Sequence, residues 1–269
     1  MKEAVRSYPE LYFATAVVLG EGDSEEVVLP RAARVMNRPL DQRLVSVVPL
    51  GGRHVNHFWR LLRDLGIPHV TLLDLDRERY GGGWGRIHYA LVQLRSFEPA
   101  LTVDRLRLTQ EQLDGMPNWS LDDEALLQEW LQLLETHGVF FSAPLDLDFL
   151  MLRAFPDAYR TSTTGSGPRI PRDASGLATR LDQAKKAVLK PEGGDGRSYS
   201  EDERRAFIWY HYLFLGRGKP ATHVVALNGL SEEQLRQGLP EVLQRLLNRV
   251  VPLPTPPKRG HRTGGALPR

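Results

Sequence analysis

The sequence predicts an α/β fold, a Rossmann-like parallel sheet with an associated helical domain. Three observations predict it. Apolar, β-branched runs alternate with helix-periodic segments over the first seventy-odd residues, the pattern of a right-handed parallel unit. Pairs of acids follow directly on those runs: Glu21 and Glu25 after Tyr12 to Leu19, Asp74 and Asp76 after Val70 to Leu73. From Phe149 onward, helix patterns dominate.

Tyr12 to Leu19 reads as a buried strand, with Val17 and Val18 β-branched. Ser24 is placed to cap the next helix, whose apolar face is Val27, Val28, Ala32, Val35 and Met36. Arg38-Pro39 ends that helix, because the residue before proline disfavours the α region. Leu44 to Leu50 is the second strand, and Gly51-Gly52 a turn. His54 to Leu65 is a helix, with Val55, Phe58, Trp59, Leu62 and Leu65 at helical spacing and Gly66 as its stop. His69 to Leu73 is the third strand. The alternation then breaks at Gly81-Gly82-Gly83. Arg86 to Leu94 and Asp122 to His137 are expected helices, and Val139 to Ser142 a short strand. Glu201 to Leu215 is an aromatic-rich helix, and Ser231 to Val250 is another. The expected organisation is a sheet core over 8–95 to which 137–150 returns, a helical insertion at 96–136, and a mainly helical domain at 151–250. In that domain a loop at 216–220 reaches the site, and a disordered basic tail follows at 251–269.

The 269 residues are enough for one large domain or two small ones, and an apolar fraction of 41% can build a core. There is no cysteine, which excludes disulfide frameworks and thiolate metal sites. No apolar stretch has the length of a membrane span and the N-terminus lacks a signal-peptide core, so a cytoplasmic protein is expected. The net charge of +2 is unevenly spread. Residues 98–136 carry nine acids against two arginines, and residues 153–190 carry eight bases against three acids. That basic segment, with Arg180, Lys185 and Lys186, suits a nucleic-acid backbone; a solvated helical face is the plainer explanation.

In an open parallel sheet, ligands gather outside the carboxyl ends of the strands. Acids after two such ends therefore face one crevice, where they repel one another unless a hard divalent cation intervenes. Glu21 and Glu25 stand at i and i+4, on one face of a helix start, although acids there also complement the helix dipole. Asp74 and Asp76 alternate on one side of an extended segment, and Glu78 continues the period as a candidate third metal ligand. Arg77 and Arg79 beside Glu78 are its expected ion-pair partners. Asp146 and Asp148 repeat the spacing after the strand at 139–142, or else cap a following helix. A two-metal site needs such carboxylates around ions about 3.5–4 Å apart, and sites of that kind usually act on phosphates. Lys219, one of only six lysines, lies between glycine and proline after the aromatic helix and is the candidate for stabilising charge on a phosphate, with Arg217 a weaker one. The histidines form no ligand set: His54 and His57 lack a third member, and His223 has at most a DNA contact to make. No P-loop is present.

A Glu after the first strand and Asp-x-Asp after the third resemble the Toprim domain. Val18-Leu19-Gly20-Glu21-Gly22-Asp23-Ser24-Glu25-Glu26, Val47-Val48-Pro49-Leu50-Gly51-Gly52 and Leu65-Gly66-Ile67-Pro68 resemble the OLD (overcoming lysogenization defect) nucleases among its members. Asp74-Leu75-Asp76-Arg77-Glu78 followed by Gly81-Gly82-Gly83 is most similar to the second class of that family. The resemblance is sharpest over 12–85 and looser at Leu145 to Phe149 and Gly218 to Pro220. It implies a Toprim-type core and a two-metal DNA endonuclease using Mg2+, with Mn2+ as a substitute. It assigns metal binding to Glu21, Glu25, Asp74 and Asp76, with Asp146 and Asp148 less sharply matched. Glu21, Asp74 and Lys219 would be catalytic, and Arg180, Lys185, Lys186 and Arg217 would hold DNA. OLD proteins carry an ABC-type ATPase ahead of the Toprim domain, and a homo-oligomer is expected in that full-length context. This chain begins at the Toprim strand without an ATPase motif, so it is expected to be a C-terminal region or a stand-alone relative. The competing expectations are a topoisomerase- or primase-like Toprim enzyme and a regulatory nucleic-acid-binding module.

Overall fold

A parallel four-stranded sheet organises the chain. The computed structural model describes residues 8–51, 55–98, 101–161, 167–216 and 218–251. The strands are β1 (Ala16–Gly20), β2 (Val45–Pro49), β3 (His69–Asp74) and β4 (Val139–Ser142), in the order β2-β1-β3-β4. All three pairings are parallel, with Ala16 opposite Val45, Val17 opposite His69 and Thr71 opposite Val139. The direction of winding reverses between β2 and β3, which places the topological switch point beside β1.

Each sheet face carries its own helices. Val18, Val70, Leu72 and Phe140 pack on α1 (Asp23–Val35) and α12 (Glu241–Val250). Beyond these lie α6 (Leu147–Ala154), α7 (Pro156–Thr161), α8 (Ala174–Leu189), α9 (Glu201–Tyr210), α10 (Lys219–Asn228) and α11 (Glu232–Gly238). Val17, Leu19, Leu73 and Phe141 point the other way, onto α2 (Val55–Asp64), α3 (Trp84–Phe97) and α5 (Glu124–Thr136), with α4 (Gln110–Gly115) beside them. Both faces are covered, so the strands read as apolar runs rather than alternating ones. Among the described residues, no helix is long and apolar enough to cross a membrane.

Several elements differ from expectation. β1 starts at Ala16, because Pro9 opens a 3₁₀ turn over Pro9–Phe13 that leaves Tyr12 and Phe13 61% and 78% exposed. The residue capping α1 is Gly22, in extended backbone, while Ser24 lies inside the helix and is buried. The helix expected over 231–250 is two helices, since the ring and missing N–H of Pro240 stop α11 and restart the chain as α12. The aromatic helix ends in a π-helical turn, His211–Leu215, and Lys219 is not a loop residue but the first residue of α10, after Gly218 at φ 97°. His54, Arg217 and the tail from 252 lie outside the described residues.

Candidate active site

A cavity of about 290 Å³ opens at the carboxyl ends of β1, β3 and β4. Glu21, Glu25, Asp74, Asp146, Asp148 and Lys219 line it. A larger cavity, about 1020 Å³, lies at the opposite end of the sheet among Trp59, Phe97, Arg63 and His69, and Glu98 is its single acid. Chemistry rather than size selects the smaller one.

Glu21 follows β1 directly. Glu25 sits one turn into α1 and reaches back, so that its carboxylate accepts from the backbone N–H groups of Glu21 and Gly22, each at 3.2 Å. Gly20 makes the room, since a Cβ there would lie 2.5 Å from Glu25 Cγ. Glu25 is 2% exposed. Burial pushes its carboxyl up to about 7 against the pull of those N–H groups, and the charge of Asp148 adds to the rise. Glu21 accepts from Asp74 N–H and pairs with Arg86 at 3.0 Å. Burial still raises its pKa, with Arg86 opposing and Asp76 reinforcing.

Asp74 is the last residue of β3, level with Ser142 of β4. Its Oδ1 accepts from Ser142 Oγ at 2.8 Å and Leu147 N–H at 3.2 Å. Burial, then the charges of Glu21, Asp146 and Glu25, push its carboxyl well above the usual range. The alternation expected of Asp76 and Glu78 fails beyond the strand, because both residues have left-handed backbone, φ 52° and 59°. Asp76 turns away from the cavity. Burial would raise its pKa, but Arg86 and Arg79 overcome that and hold it below the ordinary value. Glu78 is not brought to the cavity either: its carboxylate accepts from Gly196 N–H at 2.5 Å and Ser198 N–H at 2.7 Å, tying down the loop before α9. The arginines beside it go elsewhere, Arg77 to Glu124 and Arg79 to Asp76 and Asp146.

Asp146 and Asp148 arrive where β4 runs into α6. Asp146 is that helix's N-cap, accepting from Phe149 N–H, and it also accepts from Tyr210 Oη at 2.5 Å. Burial and Asp148 raise its pKa while Arg79 and Lys219 pull it down. Asp148 behaves oppositely. Despite burial, the donors His223 and Lys219 hold its carboxyl down at about 2. Lys219 Nζ lies 2.5 Å from Asp148 Oδ2 and its side chain is 43% exposed, so the ammonium sits at the rim. Its pKa is raised, Asp148 and Asp146 outweighing desolvation.

Among the described residues, no group of three or more acidic or histidine side chains is preset around an ion position. The donor set nevertheless has the chemistry of a hard-cation site: carboxylate oxygens without cysteine, and four acids, Glu21, Glu25, Asp74 and Asp146, whose ionisation is suppressed by burial or by one another. A divalent ion could be held by Glu21, Glu25 and Asp74, with Asp146 across the cavity.

Of the residues predicted to contact DNA, the three that are described, Arg180, Lys185 and Lys186, do not line this cavity. Lys185 and Lys186, on α8, both pair with Asp182, at 3.2 and 2.7 Å. Arg180 is half-buried on the same helix, and Arg217 is outside the described residues. Sequence reasoning missed Arg86, Tyr210, the true partners of Arg79, and the roles of Ser24 and His223. Arg86 and Tyr210 carry no local signal. His223 does carry one: it stands four residues after Lys219, hence on the same face of a helix that begins at Lys219.

Residues 12–76 match the family described as overcoming lysogenization defect protein-like, TOPRIM domain. The C-terminal region of the Xanthomonas campestris pv. campestris OLD protein is similar in structure, with a TM-score of 0.51 and 21% identity over 90% of this chain and 94% of that one. The C-terminal region of the Burkholderia pseudomallei OLD protein has a TM-score of 0.52 and 18% identity over 88% and 97%. No curated protein matches the chain.

Proposed function

Residues 12–76 form an OLD-like Toprim domain, and from that premise we propose that the chain is a divalent-metal-dependent DNA endonuclease. The observation that supports this reading best is the meeting of Glu21, Glu25, Asp74 and Asp146 with Lys219 in one cavity at the switch point of the sheet. In this reading Glu21, Glu25, Asp74 and Asp146 would hold Mg2+ or Mn2+, two ions per site. When bound, the ions supply Lewis acidity and a water that loses its proton near neutral pH. The chain's own residues do the rest. Lys219, half exposed at the rim, donates to a phosphate oxygen as negative charge develops there. Arg86 and Arg79 neutralise Asp76 and brace Glu21 and Asp146 from behind. Arg180, Lys185, Lys186 and Arg217 contribute backbone attraction without base reading, so binding weakens steeply with salt.

Supercoiled plasmid tests the proposal, incubated with the protein in Mg2+, Mn2+, Ca2+ or chelator. Nicking and linearisation are expected in Mg2+ and Mn2+ alone, with losses of about a hundredfold or more in Asp74→Ala and Lys219→Ala. Intact plasmid in every metal, from folded protein, would sink the nuclease reading for this chain. A covalent protein–DNA adduct would replace it with a topoisomerase-like reaction.

A further inference from the structure

Asp148 has little left to offer a metal. Its Oδ1 accepts from Ser24 Oγ at 2.6 Å and from His223 Nε2 at 2.8 Å, and its Oδ2 meets Lys219 Nζ at 2.5 Å. The residue is 2% exposed. A carboxylate has about four acceptor positions, and an ammonium already stands where a cation would approach Oδ2.

His223 is 0% exposed, so it reaches neither solvent nor a DNA backbone. Because an ionised carboxylate only accepts, His223 Nε2 donates to Asp148. Tyr159 Oη lies 2.5 Å from the ring's other nitrogen, Nδ1, and closes a hydrogen bond there. The ring is also gripped edge-on by Tyr159 and tilted against Phe214, with centroids 5.5 and 5.2 Å away. Lys219 and His223 sit one turn apart on α10, and both converge on the same carboxylate, which comes from α6.

We infer that Asp148 is the anchor that aims Lys219 rather than a metal ligand, and that His223, held by Tyr159, is the positioning residue that fixes Asp148. Tyr159, His223, Asp148 and Lys219 form one line of hydrogen bonds from the core to the rim, and its outer end sets where the ammonium meets a phosphate oxygen. That last link rests on the nuclease reading; the exclusion of Asp148 from the metal does not.

The experiment pairs two readouts on folded full chains, checked by circular dichroism. Mn2+ titration followed by electron paramagnetic resonance reports ligands, and plasmid cleavage reports the lysine. Asp148→Asn, His223→Leu and His223→Gln are expected to bind Mn2+ with wild-type stoichiometry and an affinity within about threefold, while Asp74→Asn loses about tenfold or more. In cleavage, His223→Leu is expected to lower kcat by about 10–100-fold with KM little changed. His223→Gln, whose amide can still donate to Asp148, restores part of the loss. Lys219→Ala combined with His223→Leu costs no more than Lys219→Ala alone, because the two act as one unit. Loss of Mn2+ affinity in Asp148→Asn as large as in Asp74→Asn would overturn the anchor. Fully additive losses, or unimpaired cleavage in His223→Leu, would overturn the positioning role. If the wild type leaves plasmid intact, the nuclease reading falls, and the Mn2+ titration alone decides whether Asp148 is a ligand.

Discussion

Two buried groups near the cavity carry opposite stability signatures, and both can be measured. Glu25 is the first. Its folded carboxyl titrates near 7 rather than 4.5, so between those values the folded chain holds a proton that the unfolded chain has lost. Without metal, stability should therefore fall as pH rises from 4.5 through 7, by up to about 3 kcal/mol. Urea melts in chelator across that range check it, and Glu25→Gln should make the profile shallower, with Glu21, Asp74 and Asp146 supplying the slope that remains; an unchanged slope in that variant would refute the shift. Asp148 acts at the other end, contributing stability above pH 3.8 that is lost as pH falls through about 2. Arg86 makes a third case. It is 3% exposed and lies between Glu21 and Asp76. Arg86→Met would leave Glu21 buried without its cation and Asp76 with Arg79 alone, at a cost of about 3–5 kcal/mol at neutral pH. A loss under about 1 kcal/mol would mean that water reaches the pair.

At the scale of elements, the turn between β3 and α3 does the positioning. It carries Asp76 and Glu78 in left-handed backbone and folds back so closely at Gly82 that a Cβ there would lie 1.8 Å from the Asp76 carbonyl oxygen. Gly82→Ala must open the turn, which carries Asp76 and so loosens its grip on Arg86. Destabilisation of about 2 kcal/mol or more is expected in chemical denaturation. A neutral result would show that the turn has an alternative path. The legibility of elements followed the same logic. β3 was legible because an apolar run bounded by turn residues has one reading, whereas the helix expected over 231–250 was misread because helical periodicity runs through Pro240 while the backbone does not. α10 was missed because glycine and proline around Lys219 read as loop, although proline near a helix start is favourable.

For the whole molecule, the sheet brings three strand ends into one cavity crowded with carboxyl groups. A cation that binds them in the folded state alone should stabilise the fold. Mg2+ at about a hundred times its dissociation constant would contribute about 2.7 kcal/mol, which in a chain of this size raises Tm by several degrees, roughly 2–4 °C per kcal/mol. Differential scanning calorimetry with Mg2+ and with chelator measures it. Asp74→Ala should lose most of the rise, and Lys186→Ala, on the exposed face of α8, should keep it. An equal rise in both variants would place the ion elsewhere.

The sequence by itself determined the four strands along the chain and the acids that follow β1, β3 and β4, because apolar periodicity and turn chemistry act over a few residues. It did not determine what each of those acids pairs with. Asp76 continues the two-residue period of Asp74, yet the strand ends between them and left-handed backbone sends Asp76 to Arg79 and Arg86. Asp148 carries the same sequence signal as Asp146, yet its partners are Ser24, 124 residues earlier, and His223, 75 residues later. Such pairings depend on how helices on one sheet face pack together, and no local pattern encodes them. Tertiary structure alone therefore decided that Glu21, Glu25, Asp74 and Asp146 crowd one cavity, that Asp76 turns to the arginines behind it, and that Asp148 pairs with Ser24, His223 and Lys219.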